Sequence, residues 1–232
     1  MTLFYQSDIA NSSFLTEEDS RHAKVLRLRV GDFMQLTDGM GGVFDAQISK
    51  LSDKKTEFII TKTRLEVGKR DYKIEIALAP TKNLERIEWF MEKAVEMGID
   101  SIRFFKSEHS ERQYLKTDRL HKIAVSAMKQ SMQYYLPKLS ELEDYVTFLG
   151  SVRSANKYIA HLPETHLPKS LLNVATKRQE YTVLIGPEGD FTANEIEAAE
   201  RAGFEVVTLG RTRLRTETAA LTACTILNSI NW

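Results

Sequence analysis

Two short stretches of this sequence hold more chemically active residues than their positions require. The first is "GPEGD", Gly186 to Asp190, set between the apolar run Tyr181 to Ile185 and a helix start at Thr192. Thr192 with Glu195 three residues later is a capping box, so a strand leads into the bend and a helix leaves it. Glycine lets main chain approach a ligand closely, and Pro187 stiffens the turn by fixing φ. Neither property explains why a sharp bend also carries two carboxylates, Glu188 and Asp190. A phosphate loop is excluded: its lysine and Ser/Thr are missing, and the acids would repel phosphate. The glycines do not follow G-x-G-x-x-G either. Taken alone, the residues leave both a ligand contact and a bare tight turn open.

The second stretch is "LGRTRLRTETAAL", Leu209 to Leu221. Arg211, Arg213 and Arg215 precede a helix whose first turn holds Thr216, Glu217 and Thr218. A helix N-terminus favours negative charge, which suits Glu217 and opposes the arginines. Cations placed against the dipole point to an external anion or to an acid such as Glu188; a solvated basic turn is the plain alternative. The five histidines, His22, His109, His121, His161 and His166, show no ligand spacing, so no metal site is expected. His22 stands out because it shares a basic helix end with Arg21, Lys24 and Arg27. The single cysteine, Cys224, sits in an apolar helical pattern and reads as a small buried hydrophobe. It allows no disulfide within the chain.

These residues need a scaffold, and 232 residues are enough for one large domain or two modest ones. Residues 1–70 read mostly as β: "FMQLTDGMGGVFDAQI" is a hairpin around a glycine-rich turn, "TEFIITKTRL" is a further strand, and one helix begins at Thr16. A small barrel is expected there. Residues 71–232 alternate strands with helices. "KIEIALA", "DSIRFF", "KYIAHL", "YTVLI" and "EVVTL" are strands, while "LERIEWFMEKAVEMG" carries an apolar face and stops at Gly98. Such alternation predicts an α/β parallel sheet covered on both faces, with ligands beyond the carboxyl ends of its strands. "HLPE", "GPEGD" and "LGRTRLRTET" all fall at strand ends.

The formal net charge is zero, which argues against coating nucleic acid by bulk charge. Local patches remain, "RHAKVLRLR" and "GRTRLR". No run of about 18 apolar residues would span a bilayer. The start, "MTLFYQSDIA", lacks a signal-peptide pattern, so a cytoplasmic protein without membrane contact is expected.

Together, "GPEGDFTANE" and "LGRTRLRTETAAL" resemble the signatures of the RsmE family, S-adenosylmethionine-dependent methyltransferases of the SPOUT superfamily that modify uridine N3 in small-subunit (16S) ribosomal RNA. "HAKVLRLRVGD", "KNLERIEWFMEKAVEMGI", "SEHSER" and "KQS" resemble further family motifs, in family order along the whole chain. The resemblance implies a PUA-like β-barrel over residues 1–70, and over 71–232 a SPOUT domain whose C-terminal segment forms a deep trefoil knot. It implies a homodimer acting on ribosomal RNA, within the small subunit. Leu162, Gly186, Pro187, Glu188, Gly189, Leu209, Gly210, Leu214, Thr216 and Thr218 would wall the cofactor pocket. His22, Lys24, Arg27, Arg29, Arg112, Lys138, Arg211 and Arg213 would meet RNA. Two departures touch that set: the start lacks the family's arginines, and "MQYYLPK" follows the "QS" motif, with Lys138 in place of an arginine.

For the chemistry, Arg215 is expected to stabilise the charge that develops on the uracil oxygens. Glu217 would orient Arg215 or accept the N3 proton, and Glu188 is the alternative orienter. The competing readings are a non-catalytic ribosome-assembly factor with the same fold and a SPOUT enzyme acting on transfer RNA.

Overall fold

The computed structural model describes residues 2–163 and 167–232; Glu164 and His166, named above, lie outside the described residues. The chain divides into two compact units, Met1–Lys69 with Val125–Leu136, and Arg70–Ala124 with Pro137–Trp232.

In the first unit, β1 (Leu3–Tyr5) is followed by α1 (Glu17–Val25), β2 (Phe33–Thr37), β3 (Val43–Lys50) and β4 (Glu57–Arg64). They form a four-stranded sheet in the order β1-β2-β3-β4, with β1 parallel to β2 and the other pairs antiparallel. Thr16 caps α1 by accepting from the Asp19 amide at 3.1 Å. The hairpin turn between β2 and β3 is fixed by Asp38, whose Oδ1 accepts from the amides of Met40 at 2.7 Å and Gly42 at 2.9 Å. That leaves Gly39 and Gly41 to take positive φ, which glycine tolerates at least cost. Phe4, Leu15, Met34, Leu36, Ile48 and Phe58 make the core of this unit.

The second unit opens with β5 (Lys73–Leu78), α2 (Leu84–Met97), β6 (Ser101–Lys106) and α3 (Asp118–Gln130), the last of which runs on into the Val125–Leu136 segment of the first unit. It continues with β7 (Lys138–Asp144), α4 (Tyr145–Ser151), β8 (Asn156–Ala160), α5 (Leu171–Val174), β9 (Glu180–Ile185), α6 (Ala193–Arg201), β10 (Glu205–Val207) and α7 (Thr216–Ile230). The six strands form one parallel sheet ordered β10-β8-β9-β5-β6-β7. Ile74, Ile76, Val183 and Leu184 are fully buried, as strands covered on both faces require.

The sequence reading finds five of these strands and not β7. "KLSELED" has no fully buried position, because it is the sheet edge and needs no apolar run. The sheet order matters for function. β8, β9 and β10 are neighbours, so the loops leaving their carboxyl ends emerge side by side.

Candidate active site

The loop after β9 is built from both sides. Asp190 takes φ +61°, an uncommon conformation for a residue with a side chain, and its Oδ1 accepts the Phe191 amide at 2.8 Å. Phe191 then turns into the core, stacked on Phe105 with ring centroids 6.1 Å apart and packed beside Tyr145. Glu195 completes the capping box with Thr192, as expected. It does more than cap: its carboxylate also accepts the Glu108 amide at 2.9 Å, tying down the "SEHSER" loop after β6.

The two glycines of the bend have different neighbours. A Cβ at Gly186 would stand 3.1 Å from the Phe191 ring; one at Gly189 would stand 3.0 Å from Cβ of His109. The His109 ring in turn bonds through Nδ1 to the carbonyls of Gly189 and Asp190, at 3.1 and 3.0 Å. Gly189 is therefore bare because His109 packs on it.

One cleft of about 400 Å³ opens where the three strand-end segments meet. Its wall includes His161 and Leu162 after β8, Gly186, Pro187, Glu188 and Asp190 after β9, and Leu209, Gly210, Arg213, Leu214, Arg215 and Thr216 after β10. The volume lies in the range of small-molecule sites, ~300–1,000 Å³. Thr216 fixes two of the walls together, its Oγ1 donating to the Gly186 carbonyl at 3.0 Å. A Cβ at Gly210 would meet nothing within 4 Å, so a side chain there would enter free space instead of protein.

Of the residues singled out from sequence, Gly189, Arg211, Glu217 and Thr218 do not form the wall. Gly189 backs it, while Glu217 and Thr218 sit behind it in the first turn of α7. The pairing expected between Arg215 and Glu188 or Glu217 is absent among the described residues. Both acids face Arg86 instead: Arg86 Nη1 lies 3.7 Å from Glu188 Oε1, and Arg86 Nε lies 3.8 Å from Glu217 Oε1. Glu217 is buried, 8 % exposed, and its Oε2 has no hydrogen-bond partner among the described residues.

Arg211, Arg213 and Arg215 are exposed and make no ion pair among the described residues. Arg112 donates to the carbonyls of Thr81 at 3.2 Å and Lys82 at 2.6 Å, shaping the approach to α2. In the first unit His22, Lys24, Arg27 and Arg29 are exposed; Lys24 pairs with Asp53 at 2.7 Å. Lys138 is exposed at the start of β7.

Arg86 is a cleft residue that sequence reasoning passed over, and His161 was weighed there only as a metal ligand. Arg86 had a signal: it stands in the first turn of α2, a cation against the dipole, as at Arg215. For His161 the strand-end position was legible, but its pairing was not, because its partner Asp190 is 29 residues away. Its Nδ1 lies 3.0 Å from Asp190 Oδ2.

A parallel sheet with a small-molecule cleft at the carboxyl ends of adjacent strands, joined to a second β-rich unit, defines an α/β enzyme of modular build. The RNA methyltransferase domain family matches residues 69–228, and the RNA methyltransferase PUA domain family matches residues 15–61. The chain belongs to this RNA methyltransferase family, with a PUA-like N-terminal domain.

Relatives span its whole length. A protein named Ribosomal RNA small subunit methyltransferase E from Buchnera aphidicola is 26% identical over 98% of this chain and 92% of its own. A crystal structure of a "probable rRNA-methyltransferase" from Porphyromonas gingivalis superposes with a TM-score of 0.93 at 39% identity, covering 100% of this chain and 98% of that one. Ribosomal RNA small subunit methyltransferase E from Neisseria gonorrhoeae, crystallised with S-adenosyl methionine, gives 0.88 at 27% identity and the same coverages. Among the described residues there is no cluster able to hold a metal ion and no helix long and apolar enough to cross a membrane.

Proposed function

We propose that this protein transfers a methyl group from S-adenosylmethionine to N3 of an unpaired uridine in small-subunit (16S) ribosomal RNA. The observation that carries the reading is the meeting of three strand-end segments on one cleft with an unpaired arginine, Arg215, on its wall. The names of the full-length relatives and the cofactor bound to the Neisseria structure support it.

The residues present fit the cofactor. Leu162, Pro187, Leu209 and Leu214 give apolar wall, the carboxylate of Glu188 suits a cationic ligand, and Gly210 offers bare main chain, while Gly186 lines the cleft with its missing side chain toward Phe191. Gly189, with His109 packed on it, and Thr216, bonded to the Gly186 carbonyl, hold that wall in shape, and Thr218 lies behind it in α7. When bound, the cofactor supplies an electrophilic methyl group with its own leaving group.

The protein's own tasks are to bind, orient and deprotonate. Arg215 balances the charge that grows on the uracil oxygens as N3 loses its proton. Glu188 and Glu217 hold Arg86 at the start of α2 and so tie the bend after β9 and the first turn of α7 to it. N3 lies on the Watson–Crick edge, so the base must be unpaired or flipped outward. His22, Lys24, Arg27 and Arg29 of the first unit, with Lys138, Arg211 and Arg213 of the second, serve as RNA contacts through phosphate. The same reading includes an RNA-gripping role for residues 1–70, transfer by residues 71–232, a trefoil knot around the cleft and a homodimer.

The test is nucleoside analysis of small-subunit RNA after incubation with the protein and labelled cofactor. Arg215→Ala should lower transfer by two orders of magnitude or more while calorimetric cofactor affinity changes less than threefold. Undiminished transfer by that variant would remove Arg215 from the chemistry, and labelling of transfer RNA alone would remove the ribosomal assignment.

A further inference from the structure

His161 and Asp190 form a carboxylate–imidazole dyad on the wall of the cleft, and nothing in the reading above uses it. Nδ1 of His161 stands 3.0 Å from Asp190 Oδ2. A carboxylate only accepts, so Nδ1 carries the proton, and in the neutral ring the lone pair is then at Nε2. The arrangement is geometrically determined from several directions. Asp190 is held at φ +61° with its other oxygen bonded to the Phe191 amide, and its carbonyl receives His109 from the far side. The His161 amide is fixed by the carbonyl of Val207 at 3.1 Å. A positive φ is uncommon for a residue with a side chain, and such conformations cluster where geometry serves function.

We propose that His161 is the catalytic base, accepting the N3 proton of the target uridine at Nε2, with Asp190 as the residue that positions it. This rests on the methyl-transfer reading of the cleft. The proton passes from N3 to Nε2, the N3 electron pair forms the new bond to the methyl carbon, and the electrons of the carbon–sulfur bond stay with sulfur. The imidazolium then returns its proton to solvent. The other charged groups on the wall are Arg86, Glu188, Arg213 and Arg215. Glu188 is turned to Arg86 and the Lys82 amide. Imidazole is a stronger base than a carboxylate and so the better match to a weakly acidic ring N–H.

The experiment compares the whole protein with His161→Gln and Asp190→Asn in single-turnover methyl transfer to small-subunit RNA across pH, with cofactor affinity by calorimetry. The expected wild-type rate rises with pH, because the neutral imidazole is the active form. His161→Gln should lose roughly 10²–10⁴-fold in rate and the rising limb with it, while cofactor affinity holds within threefold. Asp190→Asn should keep the limb but displace it and lose at least tenfold. Nitrogen-edited NMR of the cofactor-free protein should show the proton of His161 on Nδ1, identified by its loss in His161→Gln. An unchanged limb in His161→Gln, a loss confined to cofactor affinity, or a proton on Nε2 each overturns the proposal while leaving methyl transfer standing. Absence of any transfer by the wild-type protein overturns the underlying reading as well.

Discussion

The hydroxyl of Thr216 donates to the carbonyl of Gly186 across 30 residues of chain, at 3.0 Å and out of contact with water. That single bond joins the first residue of α7 to the bend after β9, so two walls of the cleft move together. Removing the donor leaves a buried carbonyl without a partner, a loss of ~1–3 kcal/mol. Thr216→Val should therefore lower the urea midpoint by that amount of stability and weaken cofactor binding at least fivefold. Thr216→Ser should restore both. Normal binding by the valine variant would mean the two walls are held apart from this bond.

Arg86 is clasped by two acids from separate elements, Glu188 in the bend after β9 and Glu217 in the first turn of α7, at 3.7 and 3.8 Å. The pair with Glu188 is half exposed and screened, so it contributes little by itself. Glu217 is the deeper partner, and Arg86→Met strands its carboxylate without a counter-charge. The expected loss is about 1–3 kcal/mol in chemical denaturation, smaller than for a fully buried pair because Arg86 keeps access to water. Adding Glu217→Gln to Arg86→Met should recover most of it. Equal and additive losses in the double-mutant cycle would show that the two side chains do not interact.

How much of this was readable from the chain depends on the range of each interaction. The capping box at Thr192 and Glu195 and the stop at Gly98 are local, so residue type and spacing reveal them. The three loops at strand ends could be placed together because parallel sheets put their ligands there. The second bond of Glu195, to the Glu108 amide, spans 87 residues and left no local trace. The same is true of the His161–Asp190 dyad. Gly189 is a subtler case. Its bareness reads as room for a ligand, but the neighbour that needs the room is His109. β7 escaped notice for the opposite reason, since a half-exposed edge strand carries little apolar pattern.

His109 also gives the bend a dependence on pH. Carbonyls only accept, so the ring donates to Asp190 and Gly189 from a protonated Nδ1. The bond to the Asp190 carbonyl raises its pKa most; desolvation opposes it, and the Gly189 carbonyl adds a smaller raising effect. A raised folded-state value means the stabilisation is fully present below the unfolded value of about 6.5 and is lost as pH climbs through the folded one. Hydrogen exchange reads this directly, because the Asp190 amide is bonded to the Pro187 carbonyl at 3.0 Å. Its protection factor should fall as pH rises above about 6.5 and through the raised folded-state value in the wild-type protein. In His109→Gln the profile should be flat with respect to this step, since glutamine donates without titrating. Parallel profiles in the two proteins would show that the bend is held independently of His109.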